Sequence, residues 1–183
     1  MNTSRRLLFV PILILSLHAR SIHARIAETM DQCIERYGAP REQKSLLIDG
    51  RSAPWIRFEK GVLTVEITFI AGIAERIVYR SDYSLNPETE SGIDLSRGVA
   101  FLLLDRNSCH SSDWHQVLSN ADTGHHNGTT AASFFQRDNK GRSRIAYYNY
   151  EASSSPKGST SSGQLDIRTS RYIELIKRLP NGI

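Results

Sequence analysis

Cys109, His110, Asp113 and His115 fall within seven residues, and His125 and His126 follow ten positions on. Thiolate, imidazole and carboxylate are the ligand types of zinc and copper sites. A structural zinc site draws its ligands from turns of fixed spacing, and this arrangement matches no such pattern. On a polar stretch, solvated histidines are the plainer outcome. These residues define one alternative function: a metal-binding protein, or a metal-dependent hydrolase, built on residues 109–126.

Other short motifs carry less. Asp122-Thr123-Gly124 spells the tripeptide of aspartic proteases, where two carboxylates share a proton to activate water. Ser119-Asn120-Ala121 precedes it where an apolar strand is needed, and a single copy would require a dimer. Ser154-Ser155-Pro156-Lys157 matches a Ser-x-x-Lys pattern. That chemistry needs a serine opening a buried helix beside a lysine that eases its proton loss, whereas this one lies in a Ser/Gly/Pro tract. The sequence contains no nucleophile elbow, His-Glu-x-x-His, P-loop or dinucleotide fingerprint. No catalytic residue is assigned, and no cofactor is expected.

Arg137, Lys140, Arg142 and Arg144 lie beside Phe134, Phe135, Tyr147, Tyr148 and Tyr150. Cations interleaved with aromatics can stack single-stranded nucleic acid or meet an anionic surface. Alternating aromatics on a strand divide more simply between a core and a sheet surface. Asn127-Gly128-Thr129 is a glycosylation acceptor only in a eukaryotic secretory route.

The start of the chain decides between these readings. Arg5-Arg6 followed by the apolar run Leu7 to Leu17 has the basic front and hydrophobic centre of a secretory signal. A bilayer-spanning helix needs about 20 apolar residues, so the run is too short to anchor. Ala19-Arg20-Ser21 best fits the small residues that a peptidase requires, with Ala24 the second candidate, Ile22 lying unfavourably two positions before it. Residues 1–24 are therefore expected as a signal peptide cut after 21 or 24. No cysteine lies there for lipid attachment.

Export also resets the charge. The chain holds 23 Lys+Arg against 19 Asp+Glu, but Arg5, Arg6 and Arg20 leave with the signal, so the remainder is nearly neutral. The basic excess belongs to targeting and gives no support to a nucleic-acid partner. The expected location is periplasmic or secreted, with membrane contact only through the signal during export. In such a compartment Cys33 and Cys109, the only cysteines, can form one disulfide or remain separate thiols with Cys33 buried.

Residues 25–183 suit a single domain. Thr29 and Gln32 form a capping box, and Met30, Cys33, Ile34 and Tyr37 make one apolar stripe, closed by Gly38 and Pro40. Trp55 to Phe58, Leu63 to Phe69 and Ile77 to Tyr79 read as three strands of a meander. The Leu63/Val65/Ile67/Phe69 face is the seat for that helix. Residues 81–93 read as a connection. A second helix runs from Asp94 or Ser96 to near Asn107. Trp114 to Leu118, Ala131 to Gln136, Ile145 to Tyr150 and Leu165 to Ile167 are expected strands, residues 153–163 a flexible loop, and Tyr172 to Leu179 a short helix or strand extension. The fold class is α+β: short helices packed on an antiparallel sheet, with a weak internal duplication over about 27–80 and 94–173.

The run Ala27 to Pro40, with Trp55, Phe58, Leu63 to Phe69, Gly72 and Ile77, resembles modules of the BamE/SmpA and β-lactamase-inhibitor-protein-like type. Arg36 to Pro40, Leu103-Leu104-Asp105-Arg106-Asn107 and Trp114 are more similar still to small exported proteins of verrucomicrobial type with no assigned function. The resemblance covers most of residues 25–150, and every matched residue is a fold determinant. It implies a non-enzymatic module that binds another envelope or secreted protein or stabilises an envelope assembly. The lipidated cysteine of the lipoprotein members is absent.

Overall fold

The structure is a computed structural model that describes residues 25–61, 63–82, 95–108, 114–121, 128–137, 141–155 and 158–178. Its first helix, α1 (Met30–Tyr37), starts as its sequence dictates. The Thr29 hydroxyl accepts from the Gln32 amide at 3.4 Å, and the Gln32 side chain accepts from the Thr29 amide at 2.8 Å. Two orphan donors of the first turn are thereby satisfied. Gly38 ends the helix with φ 87°.

Four strands follow as a meander: β1 (Glu42–Ile48), β2 (Arg51–Lys60), β3 (Leu63–Ile70) and β4 (Ile73–Asp82). Asp49 and Gly50 both have positive φ, the backbone of a two-residue hairpin turn whose twist matches the strands. After β4 come α2 (Arg97–Arg106), then β5 (His115–Ala121), β6 (Gly128–Arg137), β7 (Ser143–Ser155), β8 (Gly158–Thr169) and α3 (Ser170–Lys177). All eight strands form one antiparallel sheet in the order β1-β2-β3-β4-β8-β7-β6-β5. Each half is a four-stranded meander preceded by a helix, and the halves meet where β4 pairs β8, with Ile77 opposite Ile167 and Tyr79 opposite Leu165.

The period of two divides the sheet into a covered and an open face. Ile56, Phe58, Val65, Ile67, Ile77, Tyr79, Leu165, Ile167, Ala146, Tyr148 and Phe134 face α1 and α2 in one continuous core. Burying each large apolar side chain there contributes about 1.5–3 kcal/mol. The seat expected for α1 is observed: Tyr37 stacks on Phe58 with ring centroids 5.0 Å apart, and Cys33 is fully buried. In the second half Phe101 of α2 meets Phe134 edge-on at 5.4 Å, and the Trp114 indole donates to the Leu104 carbonyl at 2.8 Å.

Asn107 ties the parts together at the end of α2. Its side-chain carbonyl accepts the Ile26 amide at 3.1 Å, and its side-chain amide donates to the Leu103 carbonyl at 2.8 Å and the Tyr79 hydroxyl at 3.3 Å. Arg144 of β7 donates to its backbone carbonyl. A fully buried amide is retained because each of these groups would otherwise be a buried polar atom in need of a partner.

The structure adds one element and corrects one expectation. Residues 42–48, for which the sequence suggests no element, form β1. Of residues 153–163, expected as a flexible loop, 153–155 instead end β7 and 158–163 begin β8, with Ser153 opposite Thr160 and Glu151 opposite Ser162, while Pro156 and Lys157 lie outside the described residues. Ser and Thr carry the same backbone donors and acceptors as other residues, so a low apolar content does not by itself exclude a paired strand. Gly163 in that tract is required. A Cβ there would lie 2.8 Å from Cβ of Leu95 and 2.9 Å from its carbonyl oxygen.

Candidate functional site

The face opposite α1 and α2 is covered over only part of its width. Tyr172 of α3 packs with Ile48 and Ala53 in a small second core, joined by Leu46, Ile70, Leu175 and Ile176. Thr169 caps α3, accepting the Tyr172 amide at 3.1 Å, so the chain leaves β8 directly into a helix lying back toward β1 and β2. Of the alternatives given for Tyr172 to Leu179, the helix is the outcome as far as Lys177; Leu179 lies outside the described residues. Among the described residues, none covers the β6–β7–β8 part of this face.

At the boundary sits a line of alternating character. Asp166 of β8, its side chain 2% exposed, accepts from Arg76 of β4 through two bonds of 3.0 and 2.8 Å. Arg168 donates to the same carboxylate at 3.1 and 2.7 Å. The guanidinium of Arg76 lies 5.7 Å from the Tyr172 ring centroid, and that of Arg168 lies 5.3 Å from the Tyr147 ring centroid. The order is Tyr172, Arg76, Asp166, Arg168, Tyr147: ring, cation, anion, cation, ring. Strand pairing makes this possible, since Tyr147 is directly opposite Asp166 across β7 and β8, and Arg76 is opposite Arg168 across β4 and β8.

The electrostatics follow from that arrangement. Burial works to raise the Asp166 pKa, but the hydrogen bonds and charges of Arg76 and Arg168 outweigh it and hold the carboxyl below its ordinary range. The carboxylate is thereby kept ionised at neutral pH, where it orders both arginine side chains. Its effect is to fix Arg168, and through Arg168 the ring of Tyr147.

Tyr147 is 45% exposed, the largest exposed aromatic on this face among the described residues. Beside it runs a depression of about 360 Å³, floored by Ala131 and Ser133 and rimmed by Asn149 and Gln164. The small side chains of β6 create it. Ser133 is directly opposite Tyr147, so no bulky neighbour fills the space beside the ring. A second depression of about 270 Å³ shares Asn149 and Gln164 and continues to Arg80 and Glu151. Together they make a trough across β6, β7, β8 and β4, apolar at the Tyr147 end and charged at the other.

Most of the residues singled out in the sequence are not among those the structure describes. Cys109, His110, Asp113, His125, His126 and the Asp122-Thr123-Gly124 tripeptide lie outside the described residues, as do Asn127 and Lys157. His115 is on the exposed edge strand β5. Among the described residues no three His, Cys, Asp or Glu side chains come together to hold a metal. Cys33 is a buried free thiol of α1, which burial pushes up to about 12; Cys109 is not described. The basic hairpin divides: Arg144 is buried against Asn107, while Arg142 is exposed. Its aromatics divide as a half-buried strand should, Tyr148 into the core and Tyr147 outward.

Comparison with protein-family models, curated proteins and solved structures finds no match to this chain. Function is therefore argued from the site alone. Asp166, Arg76 and Arg168 were not marked by any sequence motif. The available signal was Asp166 itself, a charge between Leu165 and Ile167, whose burial asks for cations on neighbouring strands.

Proposed function

We propose that the protein is an exported, non-enzymatic binding module of the cell envelope, and that another exported protein docks on the open sheet face around Tyr147. The carrying observation is the rigidly held, half-exposed Tyr147 beside a depression sized for a partner side chain. Tyrosine and arginine are the residue types that dominate binding energy at protein interfaces. A ring already fixed by Arg168 loses little further freedom on docking. The trough offers an apolar anchor point at Ala131 and Ser133, and hydrogen-bonding amides at Asn149 and Gln164. Among the described residues lining it, the charged groups are Arg80 and Glu151.

Export is supported by the Arg5-Arg6 and Leu7 to Leu17 leader, and it places the partner in the periplasm or outside the cell. The two halves are degenerate copies of one helix-plus-meander unit. The strand order, mirrored about the β4–β8 pair, and the helix before each meander support this. Duplication of such a unit gives a sheet wide enough that α3 covers one side and leaves the other bare.

The test is chemical cross-linking in intact cells producing the wild-type chain or Tyr147→Ala at equal levels, followed by partner identification. One exported protein joined to the wild type and lost from the variant supports the reading. An unchanged set of adducts contradicts it.

A further inference from the structure

We infer that the leader is removed at the Ala24–Arg25 bond, and that the α-ammonium group so created on Arg25 is held by the carboxylate of Glu28. The inference rests on the export reading above and adds the position and the fate of the new chain end. Sequence spacing alone favours a cut after Ser21; the contacts of residues 25–28 favour the later bond.

The Arg25 backbone nitrogen donates to Oε2 of Glu28 at 3.1 Å, and the Arg25 carbonyl accepts from the Glu28 amide at 3.2 Å, closing a turn. Glu28 is itself fixed: its side chain is 12% exposed and takes the Arg36 guanidinium on both oxygens. From Ile26 onward the chain is anchored in the fold. Ile26 is buried with its amide on Asn107, the Ala27 amide donates to Ala74 at 2.9 Å, and the Ala74 amide donates back to Glu28 at 2.8 Å. A cut after Ala27 would remove these anchors. A cut after Ser21 would leave the Arg25 nitrogen a neutral amide and set the new charge three residues before it. Only the bond after Ala24 puts the charge on the atom that already faces a carboxylate. Ala24 supplies the small residue required before the cut.

The step is a hydrolysis. Water adds to the Ala24 carbonyl carbon, the Ala24–Arg25 C–N bond breaks, and the nitrogen takes a proton. The leader leaves with a carboxylate on Ala24, and Arg25 begins the mature chain as an ammonium. The reaction needs water and a membrane-bound peptidase selective for small side chains, with no oxidant or reductant. A neutral N–H donor to Glu28 becomes a charged one at the same atom, and hydrogen bonds between ionised partners are roughly twice as strong as neutral ones.

The full chain should be produced in an exporting cell, and its N-terminal peptide identified by mass spectrometry. A start at Arg25 is the expected result. A start at Ile22, or at any other internal residue, overturns the inference while leaving export intact. A start at Met1 overturns both. For the pairing, the α-amine of the processed protein is titrated by NMR. A midpoint above the ordinary range of about 7.7–8.0 is expected, because Glu28 stabilises the ammonium. A midpoint within or below that range overturns the pairing.

Discussion

Arg168 holds Asp166 through two nitrogens while its guanidinium lies 5.3 Å from the ring centroid of Tyr147. One side chain therefore links the most buried charge of the open face to its most exposed aromatic. Strand pairing fixes the relation, since Tyr147 and Asp166 are direct partners across β7 and β8. The consequence is that contacts within the sheet set the position of the Tyr147 ring.

Asp166→Ala should destabilise the domain by roughly 2–4 kcal/mol, because it leaves Arg76 and Arg168 without their shared carboxylate. That range is set below the full buried-pair figure because both arginines are about a quarter exposed. Denaturant unfolding measures it. The contribution also depends on pH. The folded pKa of Asp166 lies below the unfolded value, so its stabilisation is fully present above about pH 4 and is lost as pH falls through the folded value. The stability gap between wild type and Asp166→Asn should therefore be widest at neutral pH and narrow in acid.

Gly163→Ala should lower stability by about 1–3 kcal/mol through overpacking. The obstruction is Cβ and the carbonyl of Leu95, at 2.8 and 2.9 Å, so relief requires the start of α2 to move. Gly98 provides the control: a Cβ at that position in α2 meets nothing within 4 Å. Gly98→Ala should raise stability by up to about 1 kcal/mol through helix propensity. Thermal unfolding of the two variants should shift in opposite directions.

Cys33 should resist alkylation by iodoacetamide in the folded protein at pH 7.5 and react once unfolded. Full burial blocks access, and a thiol pushed up to about 12 supplies almost no thiolate. Mass spectrometry after short labelling, with and without denaturant, measures it. Rapid modification of the native protein would contradict the packing of α1.

Much of the fold was legible because local signals and burial agreed. Thr29 and Gln32 announce α1, and Leu63 to Phe69 alternate as a strand with one face in the core. Strand β1 was missed because Glu42 to Ser45 are exposed on a sheet edge, where no apolar period is imposed. Its signal was the Asp49-Gly50 turn, which implies a strand on each side. Residues 153–155 and 158–163 misled because strand pairing uses backbone groups, which a Ser- and Gly-rich stretch supplies as well as any other. The site was less legible than the fold. Tyr147 was noted only among several aromatics, and its partners Arg76, Asp166 and Arg168 come from strands far apart in sequence. Only the register of β4, β8 and β7 brings them into one line.

The docking claim is tested most directly by placing a photoreactive residue at position 133, opposite Tyr147, and separately at position 105, exposed on α2. Illumination of intact cells should give one discrete adduct from position 133 that disappears when Tyr147→Ala is added, and none from position 105. Adduct formation at 105 alone, or at 133 with no dependence on Tyr147, would contradict the account.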